Sequence, residues 1–108
     1  MVIVTLTEEA RQQLSQLPRS IALRMEKLLR RLHLWPNVSG VKRLSGDLAG
    51  KCRLRTGDYR LQFHVEQRKR KVTEKRMLNG NETAQEREII DYIVVIEKIG
   101  HRDGFYEE

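Results

Sequence analysis

The stretch Lys51–Val65, KCRLRTGDYRLQFHV, decides how this chain folds. Apolar and polar residues alternate on both sides of Gly57-Asp58. Successive side chains of a strand point to opposite faces, so this period of two predicts two strands, each with a dry face and a wet one. Cys52 and Leu54 fall on the dry face of the first arm, and Leu61, Phe63 and Val65 on that of the second. Gly-Asp suits a two-residue hairpin loop, because glycine tolerates the positive φ that such turns need. Pairing Thr56 with Tyr59 then sets Leu54 against Leu61, Cys52 against Phe63, Arg55 against Arg60, Arg53 against Gln62 and Lys51 against His64. Every pair matches in polarity, which supports the register. One sheet face thereby collects Lys51, Arg53, Arg55, Arg60 and His64. Like charges directly opposed in a sheet destabilise it by roughly 0.2–1 kcal/mol per pair, so the cluster points to an anionic ligand. A merely solubilising face would more commonly mix its signs.

Composition agrees with one small domain over residues 1–108, with 39% hydrophobic and 33% charged residues. No stretch reads as a transmembrane span or a signal peptide. The single cysteine, Cys52, excludes an internal disulfide and a cysteine-based zinc site, and a cytoplasmic location is expected. The three histidines lie far apart in sequence and suggest no metal centre, and no cofactor motif stands out. The formal charge of +6 is unevenly spread. Residues 42–76 hold twelve Lys or Arg against four Asp or Glu, so the rest of the chain is slightly acidic. Such localisation favours a phosphate-rich or acidic partner over a membrane.

Working outward, Val2 to Leu6 reads as a short apolar strand. Thr7 is a good N-cap, and Glu8 and Glu9 suit the positive end of a helix running to about Leu17. Pro18 fits the first turn of a second helix, whose Ile21, Met25, Leu28, Leu29 and Leu32 form one stripe and which Trp35-Pro36 stops. Asn37 to Gly50 is a glycine-containing connector, and Trp35 is expected to plug the space below the second helix. Ile89 to Ile99 reads as a central strand, apolar on both faces in its middle. Between it and Val65, residues 67–87 form a charged insert. Asn79-Gly80 suits a type I′ turn, and centring a hairpin there pairs Phe63 with Ile96, Val65 with Val94, Lys71 with Glu88 and Arg68 with Asp91. It also sets Glu97 opposite Gln62, where it could orient Arg60 or Arg53. The insert is therefore either a long projecting hairpin or a disordered basic loop. The fold class is α+β: a small, antiparallel-rich sheet of about four strands with an N-terminal helical hairpin on one face.

The segments VKRLSGDLAGKCRLRTGDYRL (residues 41–61) and IEKIGHRDGFY (residues 96–106) go further. Together they resemble the RelE/ParE superfamily of bacterial toxins, and Gly100-His101-Arg102 with Tyr106 resembles its RelE branch. The likeness spans nearly the whole chain except the insert after Glu66. It implies a compact sheet with two helices on one side and a basic, RNA-binding side opposite. It implies a toxin of a type II toxin-antitoxin system, an endoribonuclease that cuts mRNA on the ribosome, with a cognate antitoxin wrapped around it and no cofactor.

Metal-independent RNA cleavage proceeds by attack of a 2′-OH on its neighbouring phosphate. It needs a proton acceptor, a donor for the leaving 5′-oxygen and positive charge for the phosphorane. By the resemblance, Lys51 stands where the family carries a catalytic lysine, and crowding by other cations would lower its pKa. Arg53, Arg60 and Arg102 are expected phosphate clamps, since guanidinium presents paired donors to phosphate oxygens. Tyr106 stands where the family's C-terminal tyrosine meets a base. The best-known RelE members have a second lysine where this chain has Arg53, which is a poor base, so the base is open between Lys51, His64 and His101. Lys42, Arg43, Arg55 and His64 complete the expected RNA-binding set. Two other functions fit the same residues: a ParE-like inhibitor of DNA gyrase, and a non-catalytic member that binds only antitoxin or nucleic acid.

Overall fold

At Gly57, φ is 60°, and the chain turns from β3 (Cys52–Thr56) into β4 (Tyr59–Leu78) in the expected register, from Thr56↔Tyr59 to Cys52↔Phe63. The computed structural model describes residues 1–105. Before this hairpin come β1 (Val2–Leu6), α1 (Glu8–Ser15), α2 (Arg19–Leu32) and β2 (Lys42–Arg43), with a 3₁₀ turn at Gly46–Leu48; after it comes β5 (Asn81–His101). The sheet order is β1-β5-β4-β3-β2, with β1 parallel to β5 and the other neighbours antiparallel. The sheet therefore has five strands rather than about four. The additional one is β2, whose two residues pair with Arg53 and Cys52; so short a strand carries no readable period.

Both helices bury their apolar residues against one face. Ala10 of α1 and Met25, Leu28 and Leu32 of α2 join Cys52, Leu54, Leu61, Phe63, Val94, Ile96 and Ile99 in one core. Trp35 meets Phe63 edge-on with ring centroids 5.6 Å apart, which bears out its place below α2. Thr7 caps α1 by accepting a hydrogen bond from the Ala10 amide at 3.1 Å. The helix ends at Ser15, two residues before Leu17. Leu17 precedes Pro18, and a residue before proline disfavours helical backbone; Pro18 itself is extended (ψ 145°) and flanks α2 instead of entering its first turn. Where β1 stops, α1 takes over the edge of β5: Thr7 donates from its amide to the Ile96 carbonyl and from its hydroxyl to the Glu97 carbonyl, and Gln13 Oε1 accepts from the Ile99 amide.

The β4–β5 register is as expected along most of its length, including Phe63↔Ile96, Val65↔Val94, Arg68↔Asp91 and Lys71↔Glu88. It shifts at one place. A β-bulge between Gln62 and Phe63 sets Gln62 opposite Lys98 rather than Glu97, and Glu97 becomes the extra residue of β5. Beyond Gln67 the two strands pair only with each other and project as a ribbon, so the insert is a hairpin and not a disordered loop; the molecule reaches 65 Å along its longest axis. The sequence run RKRK does not make this ribbon strongly basic. Residues 66–91 hold seven Lys or Arg and six Asp or Glu. Several meet as ion pairs, among them Arg70–Asp91 at 2.8 Å and Arg87–Glu74 at 2.7 Å.

The core and the ribbon should respond differently to truncation. Phe63→Ala is expected to cost about 3–5 kcal/mol in urea denaturation. Replacing residues 70–89 by a two-residue Asn-Gly turn, which joins the paired Lys69 and Ile90, should leave the core's unfolding free energy almost unchanged, because that segment is largely exposed.

Candidate functional site

On the face opposite the helices, pleat and register bring the basic residues into rows. Arg53 lies between Lys42 and Gln62, with Lys98 beyond Gln62, and Arg55 lies against Arg60, which in turn faces Gly100. Arg53 and Arg60 are half-buried and Arg55 is exposed. No carboxylate lies within ion-pair distance of Lys42, Arg53, Arg55 or Arg60 among the described residues. Lys42, Arg53 and Arg55 line a shallow pocket with Gly40. Arg43 does not join them. It pairs with Cys52 and lines a pocket with Trp35 and Pro36, on the helix side.

Next to these rows, Glu97 ties two candidates together. Its Oε2 accepts a hydrogen bond from Lys51 Nζ at 2.8 Å, and its Oε1 lies 3.3 Å from His64 Nδ1. The second contact falls outside hydrogen-bond geometry, so Oε1 has no partner of its own and is shut off from solvent. His64 Nε2 lies 3.2 Å from Glu66. Burial pushes the Glu97 carboxyl up, but the Lys51 hydrogen bond, the His64 ring and the charges of both outweigh it and hold the group below its ordinary value of 4.5. Lys51 Nζ is therefore held by a carboxylate and not surrounded by cations alone. Glu97 orients Lys51 and His64, not Arg60 or Arg53, because the bulge moves it off the Gln62 row. Its closed-off Oε1 leaves it no free oxygen for a substrate hydroxyl. Cys52 is buried in the core, and burial pushes its thiol up, as suits an inert side chain.

The C-terminal candidates lie at the far end of β5. His101 pairs with Tyr59, whose ring it meets edge-on at 5.2 Å, so the pleat turns it to the helix side and away from Lys51 and Arg60. Its Nδ1 accepts a hydrogen bond from the Asp103 amide at 3.1 Å. Arg102 donates from its amide to the Asp58 carbonyl at 2.7 Å and holds its guanidinium 3.6 Å from the Asp58 carboxylate, fastening the end of the chain to the β3–β4 turn. Phe105 is buried, lies over Gly100 and carries Lys98 Nζ 5.0 Å from its ring centre. Tyr106 lies outside the described residues. No group of three or more His, Cys, Asp or Glu able to hold a metal ion occurs among the described residues.

The fold, with two helices on one face of the sheet, has counterparts among solved structures. A RelBE toxin-antitoxin complex from Mycobacterium tuberculosis matches with a TM-score of 0.63 and 25% identity, over 93% of this chain and 96% of that one. The chain has the RelE-type toxin fold. An archaeal RelE–RelB complex from Pyrococcus horikoshii matches with a TM-score of 0.57 and 18% identity, over 94% of both chains. No protein-family model matches the sequence, and no curated protein matches it significantly.

The Glu97 pairing has a consequence in acid. A carboxyl whose folded-state pKa is depressed contributes stability above its unfolded pKa and loses it as pH falls through the folded value. Glu97→Gln should therefore be less stable than the parent by roughly 1–3 kcal/mol at pH 7. That gap should close as pH falls below 4.5. Urea melts from pH 7 to pH 3 measure it, and a gap constant across that range would contradict the pairing.

Proposed function

We propose that this chain is the toxin of a toxin-antitoxin pair and that it cleaves mRNA on the ribosome by attack of a 2′-OH on the adjacent phosphate. The observation that carries this reading is the row of unpaired cations on the open sheet face, beside a lysine–glutamate–histidine cluster, in a fold shared with two toxins solved in antitoxin complexes. Arg53 and Arg60 hold the phosphate and stabilise the charge of the phosphorane. Lys51, oriented by its hydrogen bond to Glu97, donates to the leaving 5′-oxygen. His64 is the imidazole on this face and takes the proton of the 2′-OH; His101, turned to the helix side, keeps the chain end in place. Arg102 anchors the tail to the β3–β4 turn, and its exposed guanidinium serves as an outer phosphate contact; Tyr106 stacks on a base by analogy with the family. Lys42 and Arg55 extend the track for the RNA backbone. A cognate antitoxin binds and neutralises the chain; the two solved structures are likewise complexes of a RelE protein with a RelB partner. No described helix is long and apolar enough to cross a membrane, and the site of action is the translating ribosome in the cytoplasm.

The test is toxicity and transcript mapping after induction without antitoxin. Arg60→Ala should lower cleavage of translated messages by 10²-fold or more, with an unchanged melting temperature. His64→Gln should lower the cleavage rate more than it weakens RNA binding. Full toxicity of Arg60→Ala would overturn the assignment. Intact transcripts together with inhibited DNA supercoiling would replace the proposal with gyrase inhibition.

A further inference from the structure

Gln62 stands apart in the basic face. It is the one buried polar residue among those described, only 6% exposed. Its side-chain amide is not among the atoms shut off from solvent without a partner. Gln62 lines a cleft of about 690 Å³ with Lys51 just before β3, Glu97 and Lys98 of β5, and Ser45 and Asp47 at the 3₁₀ turn. Glu9 of α1 closes one side.

The lining is of mixed sign. Glu9, Asp47 and Glu97 outnumber Lys51 and Lys98, and Lys51 is already bonded to Glu97. A phosphate would meet net repulsion there and is better served by Arg53 and Arg60, directly across from Gln62 and two residues along. A neutral group with polar edges fits the cleft. A carboxamide offers a donor and an acceptor side by side, the pattern that pairs with a nucleobase edge such as the amine and ring nitrogen of adenine. We propose that this cleft is a nucleobase subsite and that Gln62 reads the edge of the base next to the phosphate held by Arg53 and Arg60. The inference rests on the RNA-cleaving reading above and adds to it a residue that sets base preference. The bulge after Gln62 makes the subsite, because it delivers Lys98 opposite Gln62 and sets Glu97 against Lys51 as the cleft wall.

The experiment titrates the purified protein with each of the four ribonucleoside 5′-monophosphates while the Gln62 side-chain amide is followed by ¹⁵N NMR. One nucleotide should shift that signal saturably and more than the others do. Gln62→Leu should bind that nucleotide at least tenfold more weakly, keep its affinity for inorganic phosphate and melt no lower than the parent, since leucine suits a largely buried strand position. Gln62→Glu presents acceptors only, so it should move the preference toward guanine, whose Watson–Crick edge carries adjacent donors. In transcript maps, Gln62→Leu should flatten the base preference at the cut. An amide signal unmoved by all four nucleotides, or a Gln62→Leu map with the parent's preference, would overturn the subsite. A parent that cuts no RNA while its Gln62 amide responds to one nucleotide would instead sink the cleavage reading and uphold base recognition.

Discussion

The register of the β3–β4 hairpin is the constraint on which the remaining structure depends. A two-residue turn leaves no slack, so Leu54 must meet Leu61 and Cys52 must meet Phe63. Slipping that ladder by one residue would turn the core strands inside out. Once it is fixed, the apolar residues bind the helices, and Arg53, Arg55 and Arg60 have no choice but the opposite face. The Arg55–Arg60 pair opposes like charges at an expected cost of about 0.2–1 kcal/mol. Core burial at Leu54, Leu61 and Phe63 exceeds that several-fold, at about 1.5–3 kcal/mol per fully buried side chain. Hydrophobic packing thus holds together a cationic surface that electrostatics alone would spread apart.

The β-bulge after Gln62 turns this surface into a site. In an unbroken ladder Glu97 would oppose Gln62, its carboxylate would sit among the arginines, and the free cations would be partly neutralised. The extra residue moves Glu97 toward Lys51 and His64 and sets Lys98 across from Gln62. Bulges re-aim side chains in this way. Nearby, α1 supplies the hydrogen bonds that β1 no longer makes: Thr7 bonds the Ile96 and Glu97 carbonyls and Gln13 the Ile99 amide. The irregular segment of β5 is therefore held by a helix where it lacks a neighbouring strand.

That bulge also marks where reading the sequence stops working. Periodicity placed Cys52, Leu54, Leu61 and Phe63 in the core, and the Asn79-Gly80 turn placed Arg68 against Asp91 some ten residues from the tip. Both inferences hold because a ladder propagates its register without loss. A bulge breaks the period and has no composition of its own here, so Glu97 was assigned to the wrong neighbour, while His101 was legible as a motif residue but not as one facing the helix side. β2 is two residues long and falls below any pattern. Gln62 was visible as a polar residue in the expected place, but the cleft it lines is assembled from α1, the 3₁₀ turn, β4 and β5, which no local pattern encodes.

The ribbon shows how a linear charge count can mislead and then inform. Read along the chain, residues 68–71 are four consecutive cations, and the middle third carries the whole positive surplus. Folding places the acidic stretch of β5 against the basic stretch of β4, so Lys69 meets Glu88, Arg70 meets Asp91 and Lys75 meets Glu82. Exposed pairs of this kind contribute little stability, but they remove most of the ribbon's field beyond a Debye length of about 8 Å at physiological salt. Among the described residues no acid lies within ion-pair distance of Lys42, Arg53, Arg55 or Arg60. The field that an approaching polyanion feels is therefore concentrated on the open sheet face rather than on the RKRK run. Charges are cancelled where the chain projects and left free where the cleft and the arginine rows adjoin.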